Sequence, residues 1–215
     1  GAVVGRDYRG ELKLWGNLLT QTYPWFRQAT QPVSVNFLRP KTIAANGTFV
    51  VVETEDAEYY WFGRLGLLSP ENDPTSQGIL SDRTPYARLA LQGPSRDMSA
   101  RGGHGCVLLE AGELWCWGAN SEGQLARPDL RYAEEPVLVP TPEPIVAVET
   151  DDQITCVLGQ SGTVHCSGTN FGQQLGVPFQ QLDSVAEFRP VPGVPSASEL
   201  WLGSQGACVM ASDGL

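Results

Sequence analysis

The side chains in this 215-residue chain with the means to do chemistry are few: five cysteines, two histidines, and the carboxylates and serines of a handful of short turns. The cysteines stand as Cys106 with Cys116, Cys156 with Cys166, and Cys208 alone; nine residues separate the members of each pair. Zinc sites place cysteines two to four residues apart, no such pair occurs, and only His104 and His165 could add nitrogen ligands, so no metal is assigned. Glu149, Asp151 and Asp152 have the composition of a paired-carboxylate or calcium site. They lack the glycine-punctuated spacing of a calcium loop and read as a solvated turn. Ser161-Gly162 and Ser212-Asp213-Gly214 look like nucleophile-bearing turns, and His104 could serve as a general base. Each falls where the chain's repeating pattern needs a turn or a strand start, so no catalytic residue and no cofactor is assigned.

That pattern is clearest in HGCVLLEAGELWCWGANSEGQL, from His104 to Leu125. An apolar run leads to a turn at Glu110, Ala111 and Gly112 and returns through Leu114 and Trp117 to Gly118, which is the signature of a β-hairpin. Cys106 and Cys116 lie equally far from Ala111, so an antiparallel pairing sets them opposite each other at a spacing a disulfide can span. The layout returns with Cys156, Cys166, Gly162, Asn170, Gln174 and Leu175, and starts a third time at Cys208 and Gly214. Upstream, Val4 with Leu14 and Val51 with Trp61 take the cysteine places, beside Trp15-Gly16 and Phe62-Gly63.

The leading positions of these copies, Val4, Val51, Cys106, Cys156 and Cys208, recur every 47 to 55 residues. Candidate strands precede the hairpins at Ile145 to Glu149 and Glu199 to Leu202. Proline-bounded apolar stretches stand earlier still, at Val33 with Val35, Val137 with Val139, and Val191 before Pro192. Four short strands per repeat, joined by Pro, Gly, Asn and Asp, predict an all-β chain of radially arranged propeller blades. No copy carries the 3.6-residue apolar period of a helical solenoid. The whole of 1–215 is expected to form one propeller segment, with repeats at about 1–40, 41–92, 93–142, 143–193 and a partial 194–215.

The pattern His-x-Cys-x-Leu, turn glycine, Trp-Gly-x-Asn-x-x-Gly-Gln-Leu, present at 104–125 and degenerately at 154–176, resembles the repeat of the regulator of chromosome condensation family. The resemblance implies a β-propeller, usually of seven blades. It also implies kinship with an exchange factor for the small GTPase Ran, whose activity depends on projecting loops rather than on the repeat. No segment here matches those loops. The cysteine pairs look like those of bacterial and extracellular members, in which the module is a binding scaffold. Trp15, Trp117, Gly16, Gly118, Gly168, Asn120 and Asn170 are read as structural repeat positions. Four and a fraction repeats make part of such a ring, so the chain is expected to be a fragment of a longer propeller. A smaller ring closed by its termini, or one completed by another chain, are the competing explanations. The partner of Cys208 would fall three positions beyond Leu215.

Composition bounds the function. Twenty-four glycines, 16 prolines and 41% hydrophobic residues suit a turn-dense β protein with a core. A net charge of −10 and only two lysines disfavour a phosphate backbone as ligand, so nucleic acid is not expected. Arg6 and Arg9 form the densest basic spot; Glu53, Glu55, Asp56 and Glu58 form an acidic one that reads as a solubilising surface or a rim for a basic partner. No apolar run approaches the roughly 20 residues a membrane helix needs. Facing cysteines point to disulfides and an extracellular, cell-surface or periplasmic setting, the alternative being small buried core thiols. Asn46-Gly47-Thr48 matches a glycosylation acceptor.

These readings converge on a secreted, non-enzymatic scaffold that binds a protein or glycan through its blade loops. The stretch Ser69 to Pro85, with Asn72, Asp73, Pro74, Thr75 and Ser76 near its centre, is a candidate binding loop. The alternatives are an intracellular exchange-factor-like or signalling propeller and a carbohydrate-active enzyme on the same scaffold.

Overall fold

The computed structural model describes residues 2–16, 29–35, 39–45, 49–63, 79–80, 84–203 and 206–212, and these are all-β. The candidate loop at 72–76 and the glycosylation triplet at 46–48 lie outside them. The chain divides into two compact units, Gly1–Pro94 and Ser95–Leu215.

The first unit holds a three-stranded sheet of β1 (Ala2–Arg6), β2 (Leu12–Gly16) and β3 (Ala29–Val35). A second sheet is ordered β4-β5-β6-β8-β7, from β4 (Pro40–Ala45), β5 (Phe49–Thr54), β6 (Tyr59–Gly63), β7 (Ile79–Leu80) and β8 (Thr84–Leu89). Val4 faces Leu14, and Val51 faces Trp61, across antiparallel ladders.

The second unit contains two complete blades. One is β12-β11-β10-β9, built from β9 (Ser95–Arg101), β10 (His104–Leu109), β11 (Leu114–Ala119) and β12 (Tyr132–Val139). The other is β13-β14-β15-β16, from β13 (Ile145–Asp151), β14 (Ile154–Gly159), β15 (Val164–Thr169) and β16 (Ser184–Pro190). A hairpin of β17 (Ala197–Gly203) and β18 (Gly206–Ala211) follows. Val191, expected inside a strand, comes just after β16, and its N–H still donates to the Val164 carbonyl at 2.9 Å.

Blades stack because each has an apolar face it cannot bury alone. Cys106, Leu108, Leu114 and Cys116 pack against Ile145, Val148 and Val157 of the next blade, and all seven are buried. One blade later the same places pack on Ala197, Leu200 and Leu202 of β17. The exposed edge of β13 is closed by side chains from β9: Asp97 Oδ2 accepts the Val148 N–H at 2.8 Å, and Ser99 Oγ accepts the Thr150 N–H at 3.0 Å. These bonds satisfy groups that an open sheet edge would leave unpaired.

Within each hairpin the cysteines are bonded across the ladder, Cys106 to Cys116 and Cys156 to Cys166, with Cα atoms 4.1 Å apart in both. That separation belongs to the closely spaced, non-hydrogen-bonded positions of an antiparallel pair. Both bridges are buried, whereas Cys208 is a free, exposed thiol. Gly118 and Gly168 follow with φ of +101° and +117°, where a Cβ would collide with the Gly103 and Gln153 carbonyls. Only glycine fits there.

Alkylating the unreduced protein in denaturant is expected to add one label, on Cys208; five labels would return all the cysteines to core packing. Replacing Cys106 and Cys116 together by alanine should lower unfolding free energy by ~2–3 kcal/mol, the loop-closure value for a crosslink this short, read from urea midpoints.

Candidate functional site

In an antiparallel blade successive connections alternate between the two ends. One end of the second unit therefore carries the short β9–β10 and β13–β14 turns with the long β11–β12 and β15–β16 loops. The other carries the hairpin turns around Gly112 and Gly162.

The long loops are built on one asparagine each. Asn120 Nδ2 donates to the Arg127 and Leu130 carbonyls, both at 2.7 Å, and its Oδ1 accepts the Leu125 N–H at 2.8 Å. Asn170 repeats this with the Val177 and Leu182 carbonyls at 3.0 and 2.8 Å and the Leu175 N–H at 2.9 Å. The asparagine is thus a three-point brace for the loop, a stronger role than the turn tolerance expected of it. Backbone bonds tie the loop base to its neighbours: Thr169 N–H to the Gln153 carbonyl at 2.9 Å and Asn170 N–H to the Asp183 carbonyl at 2.7 Å. The counterparts are Ala119 to Gly103 at 2.8 Å and Asn120 to Arg131 at 3.1 Å.

This shared frame makes the two loops comparable position by position from the asparagine to the first braced carbonyl, Arg127 or Val177. Where the first has Ser121, the second has Phe171; between the two braced carbonyls the first has two residues and the second four, Phe179 among them. Phe171 is 82% exposed and Phe179 39%, and their rings meet edge to face at 6.0 Å. The aromatic pair was not picked out from sequence, although aligning the loops on their asparagines would have revealed it.

The candidates taken from sequence are placed differently. Asp151, expected in a solvated turn, ends β13 and is buried, with the Arg101 guanidinium 3.7 Å away; the carboxylate can be buried because a cation faces it. Asp152 is exposed. Glu149 is half-buried, and desolvation, reinforced by the Asp97 charge, raises its pKa. The Ser161 hydroxyl donates to Glu143 Oε1 at 2.7 Å and is bonded to no histidine. His165 Nδ1 stands 3.9 Å from the same carboxylate. Among the described residues no group of three His, Cys, Asp or Glu side chains converges as metal ligands. In the first unit, Glu53 is buried against Lys41 at 3.0 Å, Glu55 is 3.6 Å from Arg6, and Glu58 is 2.8 Å from Arg88. That acidic stretch is largely neutralised by its own ion pairs.

The Regulator of chromosome condensation (RCC1) repeat matches residues 111–158. Over that stretch the chain matches one such repeat. The matched unit runs from the turn between β10 and β11 to the end of β14, so the sequence repeat straddles two blades and covers half of each. Over 146 residues, 62% of this chain, it is 38% identical to the mitochondrial RCC1 domain-containing protein RUG3 of Arabidopsis thaliana, covering 31% of that relative. It is 33% identical over 137 residues, 59% of this chain, to the secretion-regulating guanine nucleotide exchange factor of Bos taurus, covering 27% of it. The chain thus spans less than a third of the length of these relatives. The crystal structure of Prp20p from Saccharomyces cerevisiae, described with its binding properties to Gsp1p and histones, matches 99% of this chain and 54% of its own length at a TM-score of 0.78 and 16% identity. That likeness establishes the propeller fold.

His104, at the histidine place of the repeat, is buried and bonded through Nε2 to Thr155 Oγ1 of the next blade at 2.8 Å. It is a clasp between blades. Burial drives its pKa from 6.5 down to about 4.

Two variants test this frame. Asn170→Asp should cost ~3 kcal/mol, since a carboxylate cannot donate to the two carbonyls it would face; urea unfolding at pH 7 reads this. Between pH 6.5 and about 4 the folded state binds fewer protons at His104 than the unfolded chain does. Stability from this group is therefore full above pH 6.5 and falls by about 3 kcal/mol on acidification to pH 4. His104→Gln should remove that component from the difference between pH 7 and pH 4.5 unfolding curves.

Proposed function

We propose that the chain is a non-enzymatic scaffold that holds a protein partner on the long-loop end of its blades, in an oxidising compartment. The carrying observation is the contrast between the two loops. Their braces agree atom by atom, while the exposed positions diverge, and the second loop turns an aromatic pair outward. An aromatic ring on a loop already held in shape loses little entropy on binding, which is the usual character of an interface anchor. That Prp20p, of like fold, is described with binding to Gsp1p and histones supports a protein over a glycan as the partner. The net charge of −10 disfavours nucleic acid.

Two buried cross-strand disulfides support the oxidising compartment. The Arabidopsis relative is mitochondrial, so the native thiol state has to be measured in the source cells. The bovine relative's name supports a second reading, an exchange factor acting on a small GTPase.

A photo-crosslinking side chain placed at Phe171 should capture a protein in its native source, in competition with unlabelled chain, while the same group at Glu134 on β12 should not. Equal capture from both positions would sink the scaffold reading. Faster release of labelled GDP from a small GTPase such as Ran, by protein whose five cysteines are all reduced in cells, would replace it with the exchange-factor reading.

A further inference from the structure

We infer that the partner docks a basic segment here, seating an arginine or lysine side chain on the Phe171 ring between Asp152 and Asp183. This rests on the scaffold reading and names the chemistry of the same site. The two blades again supply the argument. Asp183 takes the place of Arg131, because each residue's carbonyl accepts the N–H of its blade's asparagine. Asp152 takes the place of Gly102, the residue before the carbonyl that receives Thr169 or Ala119. Together with Phe171 for Ser121 and Phe179 in the longer stretch before Leu182, these changes exchange a polar, mixed-charge loop for an aromatic, acidic one.

The hydrogen bonds bring these exchanged residues together. Thr169 N–H is bonded to the carbonyl after Asp152 and Asn170 N–H to that of Asp183, so both acidic residues lie beside the backbone that leads into Phe171; Asp183 Oδ1 also accepts the Ser184 N–H at 2.8 Å. Both carboxylates are exposed. From Glu143 to Phe188 the chain has Glu143, Glu149, Asp151, Asp152, Asp183 and Glu187 and no Lys or Arg. The basic side chain on the neighbouring strand β9, Arg101, is engaged by Asp151 at 3.7 Å and by the Leu202 carbonyl at 3.3 Å. An open aromatic face attracts a cation through its quadrupole, and carboxylates on either side add to that attraction. The Phe179 ring, in T-shaped contact with Phe171 at 6.0 Å, supports the ring that receives it.

The test uses the full 215-residue chain with a trifluoromethyl group carried on the ring at position 179, leaving Phe171 intact, and follows the fluorine resonance while hexa-arginine amide is added. A saturable shift is expected, absent with hexa-glutamate. The double substitution D152N/D183N should weaken apparent affinity about threefold to tenfold, and Phe171→Leu about twofold to fivefold. E134Q/E135Q, which alters exposed carboxylates on β12, should leave affinity unchanged. No saturable shift, equal weakening by E134Q/E135Q, or a shift produced instead by the neutral glycan maltohexaose would each overturn the inference. Capture from position 171 with no hexa-arginine binding would refute the basic partner while the scaffold stands; loss of position-specific capture would remove the scaffold reading itself.

Discussion

The second unit depends on a single constraint: a blade of this size has one apolar face it cannot cover by itself. The bridged cysteines and flanking leucines of one blade are buried only because the inner strand of the next lies across them. Several polar groups near that seam are arranged to let the approach happen. Asp97 and Ser99 close the edge of β13, His104 bonds Thr155, and the Ser167 hydroxyl donates to the Gly123 carbonyl. Neutral His104 belongs to the same logic, since an imidazolium buried at that seam would have no carboxylate to face it.

Within this seam the disulfides and the glycines have complementary tasks. A cross-strand bridge fixes which residues of β10 and β11 face each other, so the register cannot slip and turn the apolar set outward. Gly118 and Gly168 let the strand bend where its neighbour's carbonyl comes close, at a φ that a side chain would resist. The loop braces then begin two residues later. Gly123 and Gln173 hold the same place with φ of +86° and +59°, and Ala126 and Gly176 do so with +50° and +72°. The frame thus imposes the left-handed turn whether or not glycine occupies it, which indicates how firmly the asparagine bonds set the loop.

Much of this was legible in the sequence because it is periodic. Strand registers, the facing cysteines, the turn glycines and the buried tryptophan at 117 follow from alternation and from a recurring spacing, which are properties of the chain itself. What escaped was set by neighbours distant in sequence. Asp151 reads as a turn acid until Arg101, fifty residues earlier, is placed beside it. Glu53 reads as part of an acidic rim until Lys41 covers it. Asn120 and Asn170 read as turn formers, since nothing in their identity announces carbonyls seven, ten and twelve residues away.

The aromatic pair was missed for a different reason, and it bears on how such repeats should be read. Matching copies draws attention to the positions that agree, and those hold the blades together. A binding surface needs positions free to differ, carried on a frame that does not. Here the asparagine makes the same three bonds in each loop, so the differences at 121 and 171 and at 131 and 183, and the two added residues beside Phe179, were not forced by the brace. Net charge alone could not locate them, because the carboxylates in the first unit are matched by Lys41, Arg6 and Arg88. The charge that matters is the local excess left where the chain from Glu143 to Phe188 carries acids and no Lys or Arg, and that excess coincides with the braced loop that turns an aromatic ring toward solvent.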